Sequence, residues 1–331
     1  MKYNNELYLP NESVRQMAVG DIVAIPTRTD MKHLLGIRHL TTSQIEHLVD
    51  RGMAAKVDRG GASSPTPLAG QCWAMIFSKS STRTRVSFEV GVRELGGTAL
   101  YLSTRDIQLG RGEPIADTAR VLGRMVHGAI IRTFDQADVE DFANFGGIPT
   151  INALTDEEHP CQVLADLMTM RELLGTWENK KVVFLGDGDN NMARSWMWAS
   201  ARLGFPLVIA APEACQPSAA AMAGFAGTTV SVTDDVESAV AGADVLYTDV
   251  WVSMGQEDKS DAVREDALMP YQINSALIAK ANRGALVLHC LPAYRGKEIT
   301  AESLEAHAET IFTEAENRLH VQKGIMAALA R

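Results

Sequence analysis

Cysteine is scarce in this chain, and its placement excludes a disulfide framework. The four cysteines, Cys72, Cys161, Cys215 and Cys290, lie far apart, and no two of them form a CxxC pair. Small secreted proteins depend on dense, regularly spaced cysteines, whereas a reducing compartment keeps thiols free. We therefore expect a cytoplasmic protein.

Long apolar runs and an excess of basic residues are also missing. No run of 18 apolar residues occurs, and the opening MKYNNELYLPNESVRQ has no apolar signal region. Both features predict a protein without membrane segments. The formal net charge is −10, which argues against nucleic acid as a partner, because phosphate backbones attract positive surfaces.

Motifs for metals and dinucleotides are absent as well. His289 and Cys290 are adjacent, but no second His or Cys lies at ligand spacing from them. The turn at 187–191 has no GxGxxG, and its acidic residues would repel a pyrophosphate. We expect no metal and no other cofactor.

Apolar runs typical of strands alternate with helical patterns along most of the chain. The clearest runs are residues 71–77, 98–102, 128–132, 149–153, 181–185, 206–210, 243–249 and 285–289. Ile311-Phe312 is a candidate for a last strand. The alternation predicts an α/β fold of two doubly wound domains, each with a mostly parallel sheet flanked by helices.

The length of 331 residues, with 46% hydrophobic and 22% charged residues, favours two domains linked by long helices. We place the first domain at residues 1–155 and the second at 156–314. A C-terminal helix at 315–331 is expected to return to the first domain. Residues 1–30 are expected to form an arm on the body or on a neighbouring subunit.

Residues 78–85, Ser-Lys-Ser-Ser-Thr-Arg-Thr-Arg, combine hydroxyls with two guanidiniums and an ammonium. They follow a predicted strand and begin a predicted helix, where free N–H groups and the helix dipole favour an anion. Hydroxyls cap such an end, and arginine matches phosphate oxygens in pairs. The alternative is a capped helix with a solvated basic first turn, but cations there oppose the dipole. The stretch therefore predicts an oxyanion site.

Further polar residues of the first half lie at predicted strand ends, where parallel sheets bind ligands. They include Gln108 and Arg132. His159 heads a helix, where it is either a capping residue or a neutral donor to a ligand carbonyl. A helix N-terminus lowers the pKa of histidine and so favours the neutral form.

In the second half, three strand ends carry groups suited to an amine. The acidic and amide residues 187–191 suit a zwitterionic amine, or they form a plain polar turn. Asp249 could hold an ammonium with the loop to Gly255 closing over the ligand, or it begins a plain loop. Cys290 is a nucleophile, a thiol that contacts a ligand, or a packed side chain.

These segments, in this order, resemble the aspartate/ornithine carbamoyltransferase family from about Lys32 to the C-terminus. Ser-Thr-Arg-Thr-Arg at 81–85 and His-Pro-x-Gln at 159–162 are similar to the carbamoyl-phosphate half of that family. Asp249-x-x-x-Ser253-Met254-Gly255 and His289-Cys290-Leu291-Pro292 look like its ornithine branch. The resemblance implies transfer of the carbamoyl group of carbamoyl phosphate to the δ-amine of L-ornithine, giving L-citrulline and phosphate, in arginine metabolism.

The resemblance also assigns roles to individual residues. Carbamoyl-phosphate binding falls to Ser81, Thr82, Arg83, Thr84, Gln108, Arg132, His159, Gln162, Cys290, Leu291 and Arg318. Ornithine binding falls to Asn191, Asp249, Ser253 and Met254. Catalysis falls to Arg83, Arg132, His159 and Cys290. Gln108 would reach the phosphate of a neighbouring subunit, so the resemblance implies a homotrimer or a multiple of trimers.

Two other functions stay open from the sequence. One is carbamoyl transfer to putrescine or N-acetylornithine, which the Ser253-Met254 loop disfavours. The other is a non-catalytic binding protein, which the presence of all the site residues disfavours. Tyr294, where many relatives have His, and the long stretch 1–30 are the two departures from the family pattern.

Overall fold

Two parallel sheets organise this computed structural model, which describes residues 30–61, 64–103, 112–252 and 262–330. Strands in the first half run in the order β2-β1-β3-β4. Its elements are α1 (Thr42–Val57), β1 (Cys72–Phe77), α2 (Thr82–Glu94), β2 (Thr98–Ser103), α3 (Ile115–Leu122), β3 (Gly128–Arg132), α4 (Gln136–Gly146), β4 (Thr150–Leu154) and α5 (Pro160–Leu174).

The second half contains a five-stranded sheet of order β7-β6-β5-β8-β9, again parallel throughout. Its elements are β5 (Val182–Leu185), α6 (Asn191–Leu203), β6 (Leu207–Ala210), α7 (Ala219–Ala223), β7 (Val230–Thr233), α8 (Val236–Val240), β8 (Val245–Thr248), α9 (Ala262–Leu268), α10 (Ser275–Ile278), β9 (Leu286–His289), α11 (Ala301–Ala306) and α12 (Ala308–Leu329). Short 3₁₀ helices lie at Ile37–His39, Glu213–Cys215 and Met269–Tyr271.

Both faces of each central strand are buried, which explains the continuous apolar runs in the sequence. In β1, Trp73 and Met75 belong to one hydrophobic cluster, whereas Ala74 and Ile76 belong to another on the opposite face. Strand β5 divides its residues in the same way. The prediction of two doubly wound α/β domains is therefore confirmed.

Helices α5 and α12 connect the two halves. They pack against each other and against α1, while α12 also contacts α2 and β9. One hydrophobic cluster accordingly includes Leu48 and Phe88 from the first half together with Phe184 from the second. The two sheets are thus held by a shared core. No helix in the described residues is long and apolar enough to cross a membrane.

Two sequence predictions need correction, and one strand was missed. Ile311-Phe312 is not a strand, because it lies within α12, where Ile311 is buried and its neighbour Phe312 is exposed. The C-terminal helix consequently begins at Ala308 rather than at residue 315. Strand β7 was not predicted, since its half-exposed residues Val230–Thr233 carry only two apolar side chains.

Candidate active site

A cavity of about 490 Å³ lies between the carboxyl ends of the two sheets. The first half contributes the ends of β1, β3 and β4, and the second contributes the ends of β5, β8 and β9. Predicted site residues among its lining are Ser81, Thr82, Arg83, Thr84, Arg132, His159, Gln162, Asn191, Asp249, Cys290, Leu291 and Arg318. The other predicted residues, Gln108, Ser253 and Met254, lie outside the described residues.

The N-terminus of α2 forms one wall of the cavity. Ser81 is its N-cap, with a side-chain oxygen that accepts a hydrogen bond from the Thr84 backbone N–H at 3.2 Å. This fixes the first turn, whose residues Thr82, Arg83 and Thr84 line the cavity. The sequence prediction of a hydroxyl-capped helix start is confirmed.

Three guanidiniums converge at this end of the cavity. Burial, together with the positive charges of Arg318 and Arg83, lowers the pKa of Arg132 to about 10. Within the described ranges, no carboxylate lies at ion-pair distance from any of the three, although Asp249 attracts Arg83 and Asp166 attracts Arg318 from farther away. Like charges held together in a partly dry site favour a bound anion, which would relieve their repulsion.

Arg318 comes from the distant helix α12 and joins two other parts of the site. Its Nη1 donates to Gln162 Oε1 at 2.5 Å, and its Nη2 donates to Thr84 Oγ1 at 3.2 Å. Arg318 is 4% exposed. The C-terminal helix therefore positions a charged group between α2 and α5.

His159 heads α5, but its side chain makes no capping hydrogen bond. Its backbone N–H donates to Ser195 Oγ at 2.8 Å, while its Nδ1 is buried without a partner in the described structure. Burial first, and then the charges of Arg318 and Arg132, hold the pKa of His159 well below its usual value. His159 thus occupies the N-cap position without capping the helix through its side chain, and the lowered pKa favours a neutral imidazole in the cavity lining.

The opposite wall carries acids. Asp249 follows β8, is 8% exposed, and accepts a hydrogen bond from the Val250 backbone N–H at 2.7 Å. The Cys290 thiol donates to Asp249 Oδ1 at 2.9 Å. Burial and the neighbouring carboxylate raise the pKa of Cys290 well above its usual value. The thiol thus stays protonated, which favours a ligand-contacting role over a nucleophilic one.

The end of β5 adds further polar groups to this wall. Asn191 begins α6, and its Nδ2 donates to the Thr155 carbonyl at 2.7 Å. Asp187 pairs with Arg264 at 2.7 Å, and burial raises the pKa of Asp187. The cavity is therefore positive on the α2 side and acidic on the β5 and β8 side.

The turn after β9 completes the lining. Leu291 has a left-handed φ of 55°, and its N–H donates to His289 Nδ1 at 2.9 Å. Because Nδ1 accepts this bond, Nε2 carries the proton and donates to Glu298 Oε1 at 3.0 Å. His289 and Glu298 are fully buried. Their hydrogen bonds fix the backbone at Cys290 and Leu291 from the side away from the cavity.

Several lining residues were not assigned from the sequence. Lys79 forms an ion pair with Asp156 and lies 4.2 Å from the centre of the Phe134 ring. Asp187 and Arg194 also line the cavity. Lys79 and Asp187 belong to stretches already noted as polar strand ends, so strand-end position was the available signal. Among the described residues, no group of three or more His, Cys, Asp or Glu is arranged to hold a metal.

Comparison with known proteins gives the same two halves. The family model described as aspartate/ornithine carbamoyltransferase, carbamoyl-P binding domain, matches residues 32–172. The model described as aspartate/ornithine carbamoyltransferase, Asp/Orn binding domain, matches residues 178–329.

Similar proteins cover nearly the whole chain. An ornithine carbamoyltransferase of Akkermansia muciniphila is 57% identical over 302 residues, covering 91% of this chain and 98% of that protein. One from Syntrophus aciditrophicus is 48% identical over 301 residues, covering 90% and 99%.

Solved structures agree with these matches. The ornithine carbamoyltransferase from Pyrococcus furiosus has a TM-score of 0.84 at 42% identity, covering 90% of this chain and 97% of that one. The anabolic ornithine carbamoyltransferase from Campylobacter jejuni has a TM-score of 0.83 at 41% identity, covering 90% and 99%. Matching models over both halves and relatives of this identity lead to one conclusion: the chain belongs to the aspartate/ornithine carbamoyltransferase family.

Proposed function

We propose that the protein transfers the carbamoyl group of carbamoyl phosphate to the δ-amine of L-ornithine, giving L-citrulline and phosphate. The observation that carries this proposal is the opposition, across one cavity, of a buried acidic wall and three guanidiniums that have no ion-pair partner among the described residues. An amino acid's ammonium suits the first and an acyl phosphate suits the second. The relatives named ornithine carbamoyltransferase support the choice of substrates.

The phosphate is assigned to the start of α2. Ser81, Thr82 and Thr84 offer hydroxyls at a helix N-terminus, where the dipole favours an anion, and the forked donors of Arg83 and Arg132 match phosphate oxygens. As phosphate leaves, negative charge grows on it, and these cations stabilise that charge in the transition state.

The carbonyl oxygen is assigned to Arg132, His159 and Thr84. A neutral imidazole donates one N–H without adding another cation to a site that already repels charge. Attack by an amine makes the carbonyl oxygen negative, so donors fixed in place beforehand lower the barrier. The carbamoyl amide is assigned to Gln162, Arg318 and the backbone of Cys290–Leu291, with Gln162 Oε1 as an acceptor for its NH₂.

The amino acid is assigned to the acidic wall. Asp249 and Asn191 hold the α-amino and α-carboxyl groups together with Ser253 and Met254, and Cys290 lies near the δ-amine. The amine attacks in its neutral form, although its ammonium has a pKa of about 10 in water. We assign the departing phosphate as the base that accepts the proton of the amine. Both reactants are held in one cavity, which supplies the advantage of proximity.

We further propose a cytoplasmic homotrimer, or a multiple of trimers, that works in arginine metabolism. Gln108 of one subunit completes the phosphate site of its neighbour. The proposed domains are residues 1–155 for carbamoyl phosphate and 156–314 for ornithine, with the C-terminal helix returning to the first. The contacts of α12 with α1 and α2 support this return.

A panel of amines tests the proposal. With carbamoyl phosphate as donor, we expect turnover of L-ornithine to exceed that of putrescine and N-acetylornithine in kcat/KM by at least about 100-fold, because their missing or blocked α-groups leave buried polar partners unpaired. Equal or better turnover of either alternative amine would overturn the ornithine assignment. Tight binding of both substrates without any product would instead identify a binding protein.

A further inference from the structure

Two carboxyl groups lie behind the cavity without lining it. Asp166 on α5 and Glu314 on α12 are both fully buried, and neither faces the open space. Asp166 Oδ1 and Glu314 Oε1 lie 2.7 Å and 3.0 Å from the same Gln162 Nε2 atom, so the two carboxyl groups are close neighbours. Two carboxylates cannot both stay ionised in such contact, so the pair shares a proton.

The pair contacts the Gln162 amide from one side. Gln162 Nε2 donates to Asp166 Oδ1 at 2.7 Å and to Glu314 Oε1 at 3.0 Å. Both N–H bonds of the amide are thereby used. On the other side, Gln162 Oε1 accepts from Arg318. Acceptors behind and a donor in front permit only one orientation of this amide, with its oxygen toward the cavity.

Glu314 also reaches the turn after β9. Its second oxygen, Oε2, accepts a hydrogen bond from the His289 backbone N–H at 2.8 Å. His289 directly precedes Cys290 and Leu291, whose backbone lines the cavity. One buried acid therefore joins the Gln162 side chain to this turn.

The surroundings of Asp166 and Glu314 contain too little positive charge to balance two carboxylates. The titratable or charged groups that face the pair are Arg318 from α12, Tyr247 from β8 and Cys290 beyond β9. Of these, only Arg318 is a cation. Burial raises the pKa of Asp166 to about 7, and burial together with the charge of Asp166 raises that of Glu314 well above its usual value. Both shifts favour one proton held between the two carboxyl groups.

We propose that Asp166 and Glu314 are positioning residues that lock the Gln162 amide with its NH₂ inward and its carbonyl oxygen toward the substrate. That oxygen accepts a hydrogen bond from a primary amide, so the pair makes the site selective for a carbamoyl group over acyl groups without N–H. The inference rests on the proposed function, because Gln162 then contacts the carbamoyl NH₂.

Two probes separate amide recognition from phosphate recognition. Phosphonoacetamide carries a phosphonate and a primary amide, whereas inorganic phosphate carries no amide. Calorimetric titration of the intact assembly with each probe measures the two parts of the site without turnover. Citrulline formation by the wild type is assayed separately, so failure of the proposed function and failure of this inference give different results.

Substitutions at Asp166 provide a matched pair. In Asp166→Asn, the oxygen still accepts from Gln162 and the new N–H replaces the shared proton, so we expect affinity for phosphonoacetamide within about 3-fold of wild type. In Asp166→Leu, of similar size, Gln162 loses an acceptor, and we expect affinity to fall by about 10-fold or more. Inorganic phosphate should bind all three proteins within about 2-fold.

Glu314→Gln gives an independent result. The amide introduced by this substitution has one oxygen for two donors, Gln162 Nε2 and the His289 N–H, so its own NH₂ must face one of them. We expect a loss for phosphonoacetamide of about 10-fold or more, with inorganic phosphate unchanged. Equal affinities for phosphonoacetamide in Asp166→Asn and Asp166→Leu, or parallel losses for both probes in any variant, would overturn the inference.

Discussion

At the scale of single residues, the site holds charged groups in positions that are unfavourable while no ligand is bound. Arg83, Arg132 and Arg318 repel one another, and Asp249 is buried with a raised pKa. Such groups reduce the stability of the free protein while they prepare it for charged substrates. Removing one of them should therefore affect binding far more than folding.

Arg83→Ala tests this separation. We expect affinity for carbamoyl phosphate to fall by at least about 100-fold, because a forked, charged donor is lost. The melting temperature should stay equal or rise, since repulsion among the guanidiniums is relieved. Arg93→Ala, at the exposed far end of α2, is the control and should bind normally. If the Arg83→Ala protein is largely unfolded while its remaining folded fraction binds carbamoyl phosphate normally, the assignment of the anion to this site is wrong.

Glu158 should make the stability of the protein depend on pH. It is 1% exposed, accepts a hydrogen bond from the Ile37 N–H at 2.6 Å, and leaves no room for a side chain at Gly36. Burial raises its pKa from 4.5 to about 7. The folded state therefore binds the proton more tightly than the unfolded state, and this stabilisation is lost as pH rises from about 4.5 through 7.

Comparison of wild type with Glu158→Gln isolates this effect. The difference in the free energy of unfolding between the two proteins should change by up to about 3 kcal/mol between pH 4.5 and pH 8, because the glutamine does not titrate. Urea titrations at a series of pH values measure it. If the two curves stay parallel across this range, Glu158 does not carry the raised pKa.

At the scale of elements, the start of the long helix α12 was mispredicted, whereas its helix from residue 315 onward was predicted. Its first residues contain Ile311-Phe312, a pair that fits a strand when read locally. Its second half, which is buried between α1, α2 and α5, was predicted as a helix. The capped start of α2 was predictable because Ser81 acts locally.

Gly324 lies at a close approach of α12 to α1. A Cβ at this position would lie 2.9 Å from the Gly52 backbone nitrogen and 3.1 Å from the Arg51 carbonyl carbon. Backbone cannot move aside cheaply, so we expect Gly324→Ala to destabilise the fold by about 1–3 kcal/mol. Displacement of α12 also moves Arg318, so affinity for carbamoyl phosphate should fall.

Gly91→Ala is the matched control for this helix contact. Its new Cβ would meet the end of the flexible Met326 side chain at 3.0 Å, and alanine favours the helix by about 1 kcal/mol. Stability should therefore change little. Denaturant titration of both variants measures their free energies of unfolding. Equal changes in the two variants would mean that the close contact at Gly324 does not determine stability.

At the scale of the whole molecule, the site exists because two sheets present their carboxyl ends to one cavity. The sequence allowed the two sheets and most of the lining residues to be predicted, since strand ends and short motifs are local features. It did not allow the pairing of Arg318 with Gln162 and Thr84, or of Cys290 with Asp249, to be predicted. Those contacts join residues 41 to 234 positions apart and depend on how α12 and the sheets pack.

The proposed assembly extends this argument beyond one chain. If Gln108 completes a neighbour's phosphate site, a chain with Arg83→Ala and a chain with Gln108→Ala are each inactive alone, but they complement each other when mixed. A working site then pairs the Arg83 of the Gln108→Ala chain with the Gln108 of its Arg83→Ala neighbour.

In trimers formed at random from equal amounts of the two variants, about a quarter of the sites have this pairing. We therefore expect mixed oligomers, refolded together and verified by native mass measurement, to regain about a quarter of wild-type citrulline formation. Each variant refolded by itself is the control. Mixed oligomers that stay inactive would mean that each site is built within a single chain, because no pairing of intact halves then restores it.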